Sequence, residues 1–177
     1  MAYVNEVGVS KAEPRLGAIY ERLQKMLGYV PHYFQALGTK PDVIEAQLAM
    51  DGAVMAEGAL TTSVKEQIGL VVSGINSSAY CIAFHMELLH KGFGLPKPVA
   101  KKLAVDYENA PGDEKTKSLF RFADKLTRKP LEIEEEDVAT LRAAGWGDEV
   151  VRETVLTVAY FNYINRVSFG LGLVGDL

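Results

Sequence analysis

The chain has 177 residues, 48% of them hydrophobic and 24% charged, the profile of an ordinary globular domain with its own core. Its net charge is -4 at pH 7, which argues against a nucleic-acid partner, since that would call for a basic face. One cysteine allows no internal disulfide and makes cytoplasm the default compartment.

No basic region followed by an apolar run marks a leader at the start, MAYVNEVGVSK. No window reaches the uncharged apolar length of a membrane span; around 155–174 Asn162, Asn165 and Arg166 interrupt the best one. Pro14 opens a first helix with Leu16, Ile19, Tyr20, Leu23 and Leu27 at helical spacing, and Gly28 can stop it. Pro31 opens a short second segment ending near Gly38. Pro41 sits near the start of a third, which Gly58 closes. Thr61 and Thr62 can cap a fourth, running to about Gly74. Asn76-Ser77-Ser78 breaks the chain and offers caps for a fifth, Ala79 to His90, ended by Gly92 and Gly94. Pro96 starts another, to Tyr107, and Pro111-Gly112-Asp113 is a turn. Ser118 to Thr127 is amphipathic and stops before Pro130. The acidic run 132–137 suits a solvated helix start, with a short helix from Asp137 to Ala144. Asp148 to Phe169 is a long, apolar final helix. No stretch alternates as a strand would, and no linker or repeat divides the chain. The expected fold is all-α, a single-domain helical bundle over residues 1–177. The final helix is apolar nearly all round, so it asks for burial on every side, and a subunit interface in a homo-oligomer would supply that.

Chemistry concentrates around Asn76-Ser77-Ser78-Ala79-Tyr80-Cys81-Ile82-Ala83-Phe84-His85. Cys81 and His85 are four apart on a helical pattern, so thiol and imidazole share a face. Cys81 also lies near the helix start, where the dipole favours an anion, so two effects favour thiolate. Against this, free cysteine is among the most buried residue types, and packing alone accounts for most such pairs. Glu66 lies in the preceding helix and can face back toward the pair if the two helices form a hairpin. Equally, Ser63-x-x-Glu66 has the form of a capping box. Tyr80 and Phe84 read as core or as pocket wall, with core favoured. No metal site is expected: His85 and His90 are five apart, and Cys81 with His85 supplies only two ligands. His32, beside Pro31, reads as a surface or packing histidine. No glycine-rich dinucleotide fingerprint follows a strand, so no cofactor is expected.

Glu66, Ser78, Cys81 and His85 resemble the Glu…Cys-x-x-Cys-x-x-x-His pattern of alkyl hydroperoxidase D (AhpD)-like proteins, within the carboxymuconolactone decarboxylase family. Asn76 and Tyr80 suit that pattern. Residues 30–37 followed by Lys40-Pro41, then 122–127, 137–145 and 161–166, resemble the peroxidase-related branch, so the likeness spans nearly the whole chain. The resemblance implies an all-helical fold assembling as trimers or hexamers. It implies Cys81 as the peroxide-attacking thiol, with His85 and Glu66 as proton relay and Ser78 and Tyr80 lining the site. One departure matters. Ser78 stands at the first cysteine position, and a hydroxyl cannot close a disulfide, so any sulfenate on Cys81 is resolved by an external thiol reductant, by another subunit's Cys81, or not at all.

Three functions follow as expectations. The first is a thiol-dependent hydroperoxide reductase with an antioxidant role. The second is a decarboxylase or other proton-transfer enzyme using His85 and Glu66 on a carboxylated substrate, with Arg166 as the cation to inspect. The third is a non-catalytic binding oligomer that has lost its cycle.

Overall fold

The structure, a computed structural model, describes residues 2–175. Among these residues every regular element is helical: α1 (Pro14–Leu27), α2 (His32–Ala36), α3 (Pro41–Val54), α4 (Thr62–Ile75), α5 (Ala79–Phe93), α6 (Lys97–Asp106), α7 (Glu114–Arg128), α8 (Glu135–Ala143) and α9 (Asp148–Gly170), with short 3-10 turns between some of them. The fold is an all-α single domain, as expected.

α4 is the hub, packed by α5, α6, α7 and α9. Its sequence explains why. Residues Ile68 to Ser73 are all buried, so this helix has no solvent face along its middle. Two glycines let neighbours come close. A Cβ at Gly69 would lie 1.9 Å from the ring of Phe161, and one at Gly74 would lie 1.9 Å from the carbonyl oxygen of Ala104. α6 and α9 therefore approach α4 closely at these two notches. A smaller apolar cluster of Leu16, Ile19, Tyr20, Leu23, Val30 and Ile44 fixes α1 against α3.

The α4–α5 turn is built to a tight rule. The Ser78 amide donates to Ser73 O and the Ser77 amide to Gly74 O, each at 2.9 Å, the paired bonds of a Schellman motif. Ser77 takes the left-handed conformation that this motif demands, at φ 56°. α9 then locks the turn. The Asn76 amide donates to Asn162 Oδ1 at 3.0 Å and to Asn165 Oδ1 at 2.9 Å, and Asn165 donates to Ser73 Oγ at 3.1 Å. Asn165 is fully buried, so these bonds replace water it can no longer reach.

Several boundaries differ from expectation. α7 begins at Glu114, four residues before Ser118, because Asp113 is its N-cap and accepts from the Thr116 amide at 2.8 Å. α8 begins at Glu135 behind a capping box of Glu134 and Asp137. The Ser63–Glu66 capping box does not form: Thr61 caps α4, accepting from the Val64 amide, and leaves Glu66 free for another partner. α9 is not covered all round within one chain. It buries Thr154, Thr157, Asn165 and Ser168, while Leu156 and Tyr163 remain 53% and 43% exposed. Together with Val43 and Met50 of α3 they line an open apolar groove. No helix among the described residues is long and apolar enough to cross a membrane.

Candidate active site

The α4–α5 hairpin brings Glu66 and His85 together. They lie ten residues before and nine residues after Asn76, so an antiparallel hairpin sets them side by side. His85 Nδ1 is 2.7 Å from Glu66 Oε2, and both residues are buried. An ionised carboxylate only accepts, so Nδ1–H donates to it, and Nε2 is the nitrogen left for other chemistry. The imidazole is held by rings as well. Phe84 meets it edge-on at 5.0 Å, and Phe161 lies at 4.7 Å. Phe161 reaches this position because Gly69 leaves room beneath it, so a glycine one turn from Glu66 helps aim the histidine.

Cys81 is the third residue of α5 and is 3% exposed. Cys81 and His85 line the same cavity, of about 130 Å³, between α1, α2, α3, α5 and α9. The wall is mostly apolar and aromatic: Leu23, Leu27, Phe34, Leu48, Phe84 and Ile164, with Tyr33, Tyr80 and Tyr160. Tyr80 is thus pocket wall, and its hydroxyl accepts from the Tyr33 amide at 3.3 Å. Ser78 is buried but lies outside the cavity wall, because the N-cap residue is not yet on the helix face that forms it. Its side chain makes no capping bond, so the cap expected there is a backbone one, with Ser78 O accepting from the Ile82 amide at 2.8 Å. Glu66 stands behind His85 rather than in the wall.

Six polar residues at or beside the site come from outside the hairpin, and the sequence reading missed them. The Tyr33 hydroxyl donates to Gln47 Oε1 at 2.9 Å, and Tyr163 reaches the same oxygen at 3.4 Å. Asp51 lines the cavity beside this group. Burial pushes its carboxyl above the usual range, the Glu66 charge adds to that, and hydrogen bonding from Tyr160 and the His85 charge oppose it. Burial also pushes the Tyr160 and Tyr33 hydroxyls well up, so both stay neutral donors. Ser168 of α9 is the last: its Oγ lies 3.6 Å from the Cys81 sulfur. Asp51, Gln47 and Ser168 sit on α3 and α9, far along the chain, and no local pattern marks them.

No lysine or arginine lines the cavity. Arg166, the expected cation, is outside it: its guanidinium donates to Asn162 O at 3.0 Å and Asn162 Oδ1 at 2.6 Å, closing over its own helix. Among the described residues no group of three or more His, Cys, Asp and Glu side chains converges as a metal site would require. The Lys65 ammonium is buried next to Glu66 in sequence but points the other way, bonding to Val54 O at 3.1 Å, Ala56 O at 2.6 Å and Glu153 Oε2 at 3.1 Å.

The model of the carboxymuconolactone decarboxylase family matches residues 41–125, which hold Glu66, Cys81 and His85. An uncharacterised peroxidase-related protein from Silicibacter sp. TM1040 is 30% identical, with 94% of this chain and 87% of that one covered and a TM-score of 0.85. The chain belongs to the carboxymuconolactone decarboxylase family. An uncharacterised peroxidase-related protein with an alkylhydroperoxidase AhpD core, from Ralstonia eutropha JMP134, is 26% identical over 97% of this chain and 90% of that one, at a TM-score of 0.90. The debrominase Bmp8, as a Cys-to-Ala variant with 2,3,4-tribromopyrrole, shares the fold at 18% identity and a TM-score of 0.80, over 96% of this chain and 89% of that one. No curated protein matches the sequence.

Proposed function

We propose that this family member is a thiol-dependent hydroperoxide reductase with an antioxidant role, in which Cys81 attacks the peroxide and Glu66 and His85 move the proton. The observation that carries the reading is the 2.7 Å Glu66–His85 pair opening into the same cavity as the chain's one cysteine. Glu66 holds Nδ1–H, so Nε2 takes the thiol proton. The thiolate attacks the terminal peroxide oxygen. An S–O bond forms, the O–O bond breaks, and the leaving alkoxide takes the proton from His85. Cys81 is left as a sulfenic acid. One external thiol then displaces water and forms a mixed disulfide, and a second releases Cys81. The net reaction is one hydroperoxide and two thiols to one alcohol, one water and one disulfide.

The wall supports an apolar alkyl or aryl hydroperoxide as substrate. Aromatic and aliphatic side chains hold the organic group, and the tyrosine hydroxyls offer hydrogen bonds to the oxygens. A carboxylated substrate has less support, because no cation lines the cavity. We place the protein in the cytoplasm, where thiol reductants are plentiful, as a homo-oligomer through the α3–α9 groove.

The test is a stoichiometric pulse of cumene hydroperoxide in the presence of dimedone, followed by intact-mass and peptide analysis. One adduct on Cys81 is expected, together with dithiothreitol-supported turnover that Cys81→Ala abolishes. No adduct, with Cys81 still open to alkylation by iodoacetamide in the native protein, would overturn the proposal.

A further inference from the structure

Resting on the reading of Cys81 as the reactive thiol, we infer that Ser168 is the hydroxyl switch of that thiol, accepting from S–H before the reaction and donating to the thiolate during it.

Two hydrogens serve three heavy atoms here. Ser168 Oγ lies 2.9 Å from Ile164 O and 3.6 Å from Cys81 Sγ. The carbonyl only accepts, and a hydroxyl has one hydrogen and two lone pairs. With a neutral thiol, the serine hydrogen points to Ile164 O and the thiol hydrogen points to Oγ. Once the thiol proton has left, the sulfur becomes an acceptor. The serine hydrogen then turns to it by rotation about one bond, with no heavy atom moving. Ile164 O is not orphaned by this turn, because it keeps the backbone N–H four residues on in the helix.

The serine is held for this task from both sides. One turn earlier on α9, Asn165 is clamped to Ser73 and Asn76 at the base of the hairpin. After it, the Leu173 amide donates to Ser168 O and the Gly172 amide to Phe169 O, each at 3.0 Å, and the Tyr3 amide reaches Leu171 O at 2.8 Å. Ser168 is 1% exposed, so water does not compete for the sulfur from that side. The other ionisable groups around the sulfur are Tyr33 from α2, Asp51 from α3, Glu66 from α4 acting through His85, Tyr80 and His85 from α5, and Tyr160 from α9. These act from the cavity or hairpin side, and Ser168 is a neutral hydroxyl that α9 sets within hydrogen-bond reach of the sulfur.

The test is the pH profile of Cys81 alkylation by iodoacetamide, with thiolate absorbance followed in parallel. A hydrogen bond to a charged sulfur is worth enough that Ser168→Ala moves the midpoint upward by about one pH unit, close to a tenfold loss of thiolate below it. Ser168→Thr retains the hydroxyl and restores the wild-type midpoint. An unmoved midpoint in folded Ser168→Ala overturns the inference. Should that variant not fold, the S–H stretch of the unmutated protein decides. It is lower in frequency than in the unfolded, water-solvated chain if the thiol donates to Ser168, and equal to it or higher if there is no such bond. Because none of these readouts uses peroxide, a shifted midpoint without peroxide turnover would remove the peroxidase reading and leave the switch standing.

Discussion

Lys65 and Glu66 are neighbours on α4, both charged and both buried, yet their surroundings are opposite in kind. The Lys65 ammonium spends its three hydrogens on Val54 O, Ala56 O and Glu153 Oε2. Glu153 in turn accepts from the Ala59 and Leu60 amides, at 2.9 and 2.8 Å. Burial pushes the Glu153 carboxyl up, but those amides and Lys65 outweigh it and hold it below its ordinary range. All three ammonium hydrogens and both carboxylate oxygens of this pair have partners, and the pair staples the loop between α3 and α4 to α9. Glu66 instead meets His85, whose second nitrogen is left for an apolar cavity containing a thiol. A closed pair stabilises the fold; a pair with one open valence can move a proton.

The contrast is sharpest where the closed pair is broken. Lys65→Met takes the cation from a partly buried carboxylate and from two main-chain carbonyls, and its expected cost is about 3 kcal/mol in urea unfolding. Alkylation of Cys81 in the folded fraction should stay within about twofold of wild type. A cost below about 1 kcal/mol would mean that the staple is not closed in the sense argued. Glu66→Gln should do the reverse. It keeps the shape but removes the charge that orients and supports His85, so peroxide consumption should fall about a hundredfold. Stability should change by no more than about 1 kcal/mol. Rates within threefold of wild type would make Glu66 a second structural carboxylate.

Asp51 gives the smallest effect and a test by pH. Its folded carboxyl lies above its unfolded value, chiefly through burial. Its contribution to stability is therefore present at acid pH and lost as pH rises through the folded value. Glu153 has the opposite sign: its contribution is present at neutral pH and lost as pH falls through its lowered folded value. Asp51→Asn should accordingly stabilise the protein at pH 7, by under about 1 kcal/mol, with the gain vanishing below the ordinary carboxyl range. A gain that is the same at both pH values would show that the ionised form is not what is penalised.

Much of this was legible in the sequence because its punctuation is local. Pro14, Pro41 and Gly28 sit where helices start or stop, and Glu66 and His85 pair because their spacing from the Asn76 turn is nearly equal. Local form also misled. Ser63-x-x-Glu66 has capping-box spacing, yet Thr61 is the cap, and the helix begins two residues earlier than that reading requires. Asp113 looked like part of a turn because a cap and a turn residue share the same chemistry. The final helix reads as apolar all round from its Val, Leu, Ala, Tyr, Phe and Ile positions, yet part of its buried face is Thr154, Thr157 and Ser168, which satisfy themselves on carbonyls one turn back. Ser168 and Asp51 reach the site through the register of α9 and α3 against the hairpin, and periodicity within a helix carries no such register.

The two contacts at the heart of the site also differ in how far apart the chain must be gathered to make them. Glu66 and His85 are 19 residues apart, whereas Cys81 and Ser168 are 87 apart. By loop-closure entropy the longer closure costs about 1.3 kcal/mol more. The Glu66–His85 pair is thus local equipment of a short hairpin. The environment of the sulfur is a tertiary property, which depends on the whole chain having closed behind it.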